Sequence, residues 1–461
     1  MTEQLKEDCD FMKKLFGTDG VRGVAYEFLN AELACNIGLA LGSVLKDSIG
    51  HPKVLIGTDT RISKDMLTEA ICEGLSDMGC DSVKIGVVPT PAVAYLVKYF
   101  GFDAGVMISA SHNPYEYNGI KIFNSEGFKL SDALEEKIEK IIFDNSFSPK
   151  SEVIGSVTED ALYASSYIEY IRGTSHTDLS GLKVAFDCAN GSASTTAASL
   201  FEAMGCECHF LSCEPDGVNI NTNCGSTHLG NLKEYVKANG CDIGVAFDGD
   251  ADRCLTVDEC GNEIDGDFIM AILALELKAQ DKLAKDTVVG TIMSNCGFSK
   301  FCEERKFNFV ATKVGDRYVL EEMEKCGYSL GGEQSGHVIM REFATTGDGQ
   351  LTALHILSAL KKSGKKYSEL AAVMKKYPQH LVNVTATNAQ KQAFSSDESI
   401  KALIKDANEI LSRDESSGRL VIRPSGTEPV VRIMIECIDE KLTVDLCEEL
   451  AEKIKEILKN Y

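Results

Sequence analysis

Short apolar, β-branched runs recur along the chain. Each stops at Gly, Ser, Asp or Asn, and each is separated from the next by a stretch of helical periodicity such as MLTEAICEGLSDMG or YVLEEMEKCG. They fall into three sets. The first is VLIGTDTRIS from Val54, SVKIGVVPTPAV from Ser82 and AGVMISASHNP from Ala104. The second is LKVAFDCANGSAS from Leu182, CECHFLSCEPDG from Cys206 and CDIGVAFDGDADR from Cys241. The third is TVVGTIMSNCGFS from Thr287, FNFVATKVGDRYV from Phe307 and GYSLGGEQSGH from Gly327. Alternating strand and helix predicts parallel pairing in mixed α/β layers, with ligand loops at the carboxyl ends of the strands. The last run of each set ends in ASHNP, DGDADR or GGEQSGH, so the chemically richest loops occupy equivalent places. The likeness is loose, and generic α/β patterning is the competing account. After Tyr377 the pattern changes to LVNVTAT, RLVIRPSGTEPVVRIMIEC and the amphipathic LTVDLCEELAEKIKEIL, which predicts a smaller α+β domain. The expected division is an extension over 1–15, α/β domains over 16–162, 163–262 and 263–376, and the α+β domain over 377–461.

Composition narrows the functions this chain can serve. A length of 461 residues calls for several domains, and 44% hydrophobic residues suffice for sizeable cores. A net charge of −23 speaks against a general grip on nucleic acid, so an anionic ligand needs a local cluster of cations and backbone N–H groups. The seventeen cysteines include no pair with zinc spacing, and Cys206, Cys208 and Cys213 read as small buried hydrophobes near a strand end. The opening MTEQLKEDCDFMKK is polar and acidic, unlike a signal peptide, and reads as a disordered tail. No apolar stretch approaches the length of a membrane span, and a cytoplasmic protein without membrane or nucleic-acid partners is the expectation.

Four loops carry candidate chemistry. Asp248, Asp250 and Asp252 alternate in DGDADR after an apolar run, a set of hard oxygen donors that suits Mg²⁺; a solvated acidic turn is the plainer account. The EF-hand pattern is not completed, since the following glycine and the terminal glutamate are missing. RPSGTEPVVR joins Arg423, Ser425, Gly426, Thr427 and Arg432, a guanidinium-and-hydroxyl cradle for phosphate or else an ordinary hairpin. GGEQSGH offers Glu333 and Ser335 for sugar hydroxyls and His337 for proton transfer or a structural role. Ser111, in MISASHNPYEYNGIKIF, lacks the G-x-S-x-G setting of a hydrolase nucleophile, and His112 beside it is expected to shape the turn. A serine accompanied by a metal triad and a phosphate cradle suits a carrier of a phosphoryl group.

FGTDGVRG (Phe16 to Gly23), SASHNPYEYNGIK, DGDADR, GGEQSGH and RPSGTEP, in that order, resemble the α-D-phosphohexomutases over nearly the whole chain. Within that superfamily, FGTDGVRG near the start, GVNINTNCGSTH (Gly217 to His228) and GEQSGH are similar to the bacterial branch acting on glucosamine phosphates. The resemblance implies an α/β fold of four domains around a central cleft, three of them similar. It implies Ser111 as the phosphoserine, and Asp248, Asp250 and Asp252 as Mg²⁺ ligands with a Ser111 phosphate oxygen completing the set. Arg253 is implied beside the transferring group, Lys121 and His337 in proton transfer, and Arg22 in support. Glu333 and Ser335 would read the sugar; Arg423, Ser425, Gly426, Thr427 and Arg432 would hold the distant phosphate. The implied reaction interconverts glucosamine 6-phosphate and 1-phosphate through a sugar 1,6-bisphosphate, which also serves as activator, and supplies UDP-N-acetylglucosamine for cell-wall precursors. Mannose or glucose phosphates on the same scaffold, a Mg²⁺-dependent phosphatase and a silent sugar-phosphate sensor are the alternatives. A homodimer is left open.

Overall fold

The computed structural model describes residues 15–413, 418–425 and 429–461. The expected extension therefore lies outside the described residues, except for Leu15, which is buried beside Phe16 in the first core.

The first sheet contains β1 (Val21–Val24), β2 (Lys53–Thr58), β3 (Asp81–Val87), β4 (Ala104–Ile108), β5 (Tyr117–Asn124) and β6 (Val157–Glu159), in the order β1-β5-β4-β2-β3-β6. The period of two divides its residues between two faces. Val54, Ile56, Val106 and Ile108 join a core with Leu33, Ile37 and Leu41 of helix Ala31–Lys46 and Ile71 and Leu75 of helix Lys64–Asp77. On the opposite face, Gly57 and Gly105 let Val93 and Val97 of helix Thr90–Phe100 lie against the sheet.

The second sheet has β7 (Lys183–Asp187), β8 (Glu207–Leu211), β9 (Ile243–Phe247), β10 (Cys254–Asp258) and β11 (Glu263–Ile264), in the order β11-β10-β9-β7-β8. The third has β12 (Thr287–Thr291), β13 (Asn308–Thr312), β14 (Leu330–Gly332) and β15 (Val338–Met340), in the order β13-β12-β14-β15. All nine expected runs are strands, and each set has one topology. The first run is central, the second and third are its parallel neighbours, and a further strand returns antiparallel to the third. Those returning strands, β5, β10 and β15, are not among the nine expected runs. They place ASHNP, DGDADR and GGEQSGH each in a turn between β4 and β5, β9 and β10, or β14 and β15.

Two compact units make up the chain, 1–293 with 307–373, and 294–306 with 374–461. The second unit holds the antiparallel sheet β16 (Gln379–Thr385), β17 (Arg419–Pro424) and β18 (Val430–Glu436), in the order β16-β18-β17. Val384, Ile433 and Ile435 pack there on Leu450 and Ile454 of helix Glu440–Leu458. Helix Cys296–Arg305, expected within the third α/β domain, groups with this unit. Its anchor is buried Glu436, which accepts from the Cys296 N–H at 3.0 Å, Asn295 Nδ2 at 3.3 Å and Arg419 Nε at 2.9 Å. Cys206 is buried, while Cys208 and Cys213, expected to be buried, are partly exposed because Cys208 lies in edge strand β8 and Cys213 two residues past its end. Among the described residues the cysteines are free, and no helix is long and apolar enough to cross a membrane.

Candidate active site

Ser111 stands where a buried strand ends. β4 is buried throughout, the chain leaves it at Ile108, and Ser111 takes the left-handed conformation with φ 53°, uncommon for a residue other than glycine. Its Oγ donates to Asp248 Oδ2 at 2.6 Å across 137 residues of sequence. His112 Nδ1 lies 3.3 Å from the same oxygen, so this adjacent pair does come within reach, by a longer contact than the carboxylate. Burial and the nearby Arg253 and Arg22 push the His112 ring down to about 4, leaving it neutral at neutral pH.

Asp248, Asp250 and Asp252 are all buried, and one oxygen from each lies within 4.8 Å of the others. Ala251 in this loop also has a positive φ, of 54°. Asp250 is held from the first α/β domain. The N–H and hydroxyl of Thr90, at the start of helix Thr90–Phe100, donate to its carbonyl and its Oδ2 at 2.9 and 2.5 Å. Burial, with repulsion from Asp252 and Asp250, holds the Asp248 carboxyl well above the ordinary range. Burial also opposes ionisation of Asp252, but Lys121 and His337 outweigh it and lower the carboxyl. Asp250 Oδ1 and Asp252 Oδ1 are buried with no protein donor. Three hard carboxylates with two orphaned oxygens and a hydroxyl alongside fit a divalent, oxygen-seeking cation.

Cationic groups surround the triad. Lys121, on β5, is 1% exposed and lies 2.8 Å from Asp250 Oδ2, 3.1 Å from Asp19 Oδ2 and 3.5 Å from Asp252 Oδ2. Burial opposes its charge, yet the three carboxylates hold it protonated far above its ordinary range. Arg22, on neighbouring β1, pairs with Asp19, and Lys129 bridges Asp19 to Asp316, the latter at 2.5 Å. The Arg253 N–H donates to Asp248 Oδ1 at 3.2 Å, and its Nε lies 3.9 Å from Asp252 Oδ1.

His337 faces the same cluster, with Nδ1 3.6 Å from Asp252 and Nε2 3.7 Å from Asp316. Burial opposes the imidazolium, but these carboxylates raise its pKa above the ordinary histidine value. The Gly347 N–H donates to Nε2 at 3.0 Å, which needs a lone pair there. A proton at Nε2 is therefore favoured by charge and opposed by one hydrogen bond. Only glycine fits at 347, since a Cβ would stand 2.5 Å from Nε2. Glu333 and Ser335 are half-buried in the same turn, with Glu333 Oε1 accepting from the Gly315 N–H at 3.0 Å.

In the second unit, Arg423 of β17 stands directly opposite Arg432 of β18. Two guanidinium side chains at facing positions are a donor set suited to a phosphate. The Ser425 N–H bonds the Val430 carbonyl at 2.8 Å. Gly426 and Thr427 lie outside the described residues.

The structure thus brings Ser111, Lys121, Arg22, Asp248, Asp250, Asp252, Arg253 and His337 into one cluster. Sequence reasoning missed Asp19, Thr90, Lys129 and Asp316. Asp19 and Thr90 lie inside quoted runs, FGTDGVRG and VVPTPAV, whereas Lys129 carries no local signal.

Comparison with known proteins agrees with this geometry. The four phosphoglucomutase/phosphomannomutase domain profiles match in order: α/β/α domain I over residues 13–149, domain II over 165–261, domain III over 265–377 and the C-terminal domain over 381–453. A phosphoglucosamine mutase of Acetivibrio thermocellus is 52% identical over 452 residues, spanning 96% of this chain and all of that protein. One of Clostridium kluyveri is 51% identical, spanning 96% of this chain and 99% of its own. The crystal structure of a phosphoglucomutase/phosphomannomutase family protein from Burkholderia thailandensis superposes with a TM-score of 0.80 at 25% identity, covering 96% of this chain and 97% of that one.

Proposed function

The chain belongs to the α-D-phosphohexomutase family, and from that premise we propose that it acts as a phosphoglucosamine mutase in the cytoplasm, interconverting glucosamine 6-phosphate and glucosamine 1-phosphate. The observation that carries this reading is the 2.6 Å bond from Ser111 Oγ to Asp248. It sets an acceptor hydroxyl against three buried carboxylates, two of which have an oxygen to spare.

Ser111 Oγ carries the phosphoryl group. The C1 hydroxyl of the 6-phosphosugar attacks phosphorus, the P–Oγ bond breaks, and a 1,6-bisphosphate forms. The proton of the attacking hydroxyl goes to the His337 ring, whose imidazolium form is favoured by Asp252 and Asp316. Lys121, Arg22 and Arg253 supply positive charge to the transferring oxygens. Asp248, Asp250 and Asp252, with Ser111, would hold Mg²⁺, which neutralises phosphoryl charge when bound. After the bisphosphate reverses, Ser111 Oγ bonds the phosphorus at C6, the P–O6 bond breaks, the C6 oxygen takes back the proton held by His337, and the sugar 1-phosphate leaves. Glu333 and Ser335 read the sugar hydroxyls. Arg423, Ser425, Gly426, Thr427 and Arg432 hold the phosphate that is not reacting.

The test supplies glucosamine 6-phosphate, a trace of bisphosphate and Mg²⁺, with coupled detection of the 1-phosphate. Glucose and mannose 6-phosphates run in parallel. Fastest turnover of the amino sugar is expected, with phosphate on Ser111 by peptide mass spectrometry and no turnover by a folded Ser111→Ala variant. Release of inorganic phosphate in place of isomerised sugar, or faster turnover of another hexose phosphate, overturns the assignment.

A further inference from the structure

We propose that Arg61 and Asn221 are positioning residues for phosphoryl transfer, clamping the carbonyls on either side of His112 so that Ser111 stays in the conformation that aims Oγ at Asp248. The inference rests on the reading of Ser111 as the phosphoryl carrier. Arg61 is fully buried, and its Nη2 donates to the carbonyl oxygens of Ser111 at 3.1 Å and Asn113 at 2.5 Å. Asn221 Nδ2 donates to the same two oxygens, at 2.9 and 3.0 Å. Each carbonyl oxygen has two lone pairs, and here each meets one guanidinium and one amide donor. The Ser111 N–H is tied down separately, to Ser109 Oγ at 2.9 Å.

Both donors are themselves fixed. Arg61 pairs with buried Asp59, whose N–H bonds the Ile108 carbonyl at 3.0 Å. The Asn221 N–H bonds the Ala189 carbonyl at 2.9 Å. They come from different α/β domains, so the loop is gripped from the same two sides that supply Ser111 and Asp248. Gly249, next to Asp248, completes the fit: a Cβ there would stand 2.5 Å from the Ser111 oxygen and 2.8 Å from Asn221 Nδ2. A left-handed serine persists only where its surroundings over-determine it, and four donor contacts on two carbonyls do so. Neither residue reaches the carboxylate triad, so both act through Ser111.

The experiment compares wild type with Asn221→Ala, Asn221→Asp and Arg61→Lys. Thr60→Ala is the control, because Thr60 Oγ1 donates to the Asn190 carbonyl at 2.6 Å, another bond between these two domains that leaves the Ser111 loop alone. Steady-state kinetics, Ser111 phosphate occupancy after incubation with bisphosphate, melting temperature and a crystal structure of Asn221→Ala are measured. A misplaced acceptor is expected to lower kcat about tenfold to a hundredfold with KM within about twofold, at slowed phosphorylation of Ser111. Arg61→Lys keeps the charge against Asp59 but loses the fork and falls likewise. Thr60→Ala keeps kcat, and in the Asn221→Ala crystal Ser111 leaves positive φ. The proposal is overturned if kcat is unchanged in folded Asn221→Ala, if it falls equally in Thr60→Ala in step with stability, or if the loop stays in place. A wild-type protein that isomerises no hexose phosphate refutes the mutase reading instead, and the crystal structure still decides the clamp.

Discussion

Asp250 divides its two oxygens between different tasks. Oδ2 receives Thr90 at 2.5 Å and Lys121 at 2.8 Å, whereas Oδ1 is buried with no protein donor. The carboxylate is thereby aimed by one oxygen and available to a cation through the other. Asp250→Asn keeps most of the shape but removes a negative charge from a hard-donor set. Losing even an outer partner of a metal ligand commonly costs 10–100-fold, so removal of a ligand should weaken Mg²⁺ binding and kcat on the order of a hundredfold or more. Calorimetric Mg²⁺ titration together with turnover in graded Mg²⁺ measures both. Wild type should lose activity in chelator and regain it on adding Mg²⁺; full activity of either protein in chelated buffer contradicts the metal role.

The same device recurs among the elements of the first unit: a short strand, a tight turn, an antiparallel return. Each turn is pinned from outside itself, the last by the Gly266 and Cys254 N–H groups, which donate to the Gln334 and Gly336 carbonyls at 3.0 Å each; beyond β15, Asp348 is held at both carboxylate oxygens. Its Oδ1 caps helix Gly349–Ser363 through the Leu351 N–H at 2.9 Å, and its Oδ2 accepts from Tyr167 Oη at 2.9 Å. Burial nevertheless pushes its carboxyl up from 3.8 to about 6. A raised carboxyl pKa means the folded state binds the proton more tightly than the unfolded chain. The stability tied to that proton is complete below about pH 3.8 and is lost as pH rises through about 6. Two units amount to about 3 kcal/mol as an upper figure. Asp348→Asn keeps one of the two acceptor oxygens and cannot ionise, so the loss of the other is a pH-independent offset. Its stability relative to wild type should therefore rise between pH 4 and pH 7.5, read from urea unfolding at both. A pH-independent difference rules out titration of this buried carboxyl.

Across the whole molecule, a net charge of −23 has to coexist with an anionic substrate. The chain resolves this locally. In the first unit Arg22, Lys121, Lys129 and Arg253 crowd around a few carboxylates, and in the second Arg423 faces Arg432 across a strand pair. If that arginine pair holds the non-reacting phosphate, Arg423→Ala loses a charge-assisted contact worth about 1.5–3 kcal/mol, roughly tenfold to a hundredfold. The loss should appear in kcat/KM for both the 1-phosphate and the 6-phosphate, because each serves in turn as the idle end. Phosphorylation of Ser111 should be retained. Steady-state kinetics in both directions, with mass spectrometry of the variant, decide it; equal kcat/KM in variant and wild type removes the phosphate role from this hairpin.

Local pattern determined a great deal in this protein. Nine strands, the helices between them and the three chemically loaded turns follow from periodicity, because burial of one face leaves its mark every two or every 3.6 residues. DGDADR was legible as a candidate metal loop because its three donors are neighbours in the chain. The returning strands were less legible: β15 has three residues, too few for a period, and only pairing with β14 makes it a strand. Helix Cys296–Arg305 reads as part of the third domain, and it is buried Glu436, far along the chain, that fixes where it packs. Lys129 looks like any surface lysine until Asp19 and Asp316 meet it, across 110 and 187 residues. Arg61 and Asn221 converge on the Ser111 turn from 50 and 110 residues away. Such contacts have no periodic signature, since a hydrogen bond depends on where two atoms are brought and not on the residues beside them. The sequence by itself supplied the candidate reacting groups, and only the tertiary structure decided which side chains hold them in place.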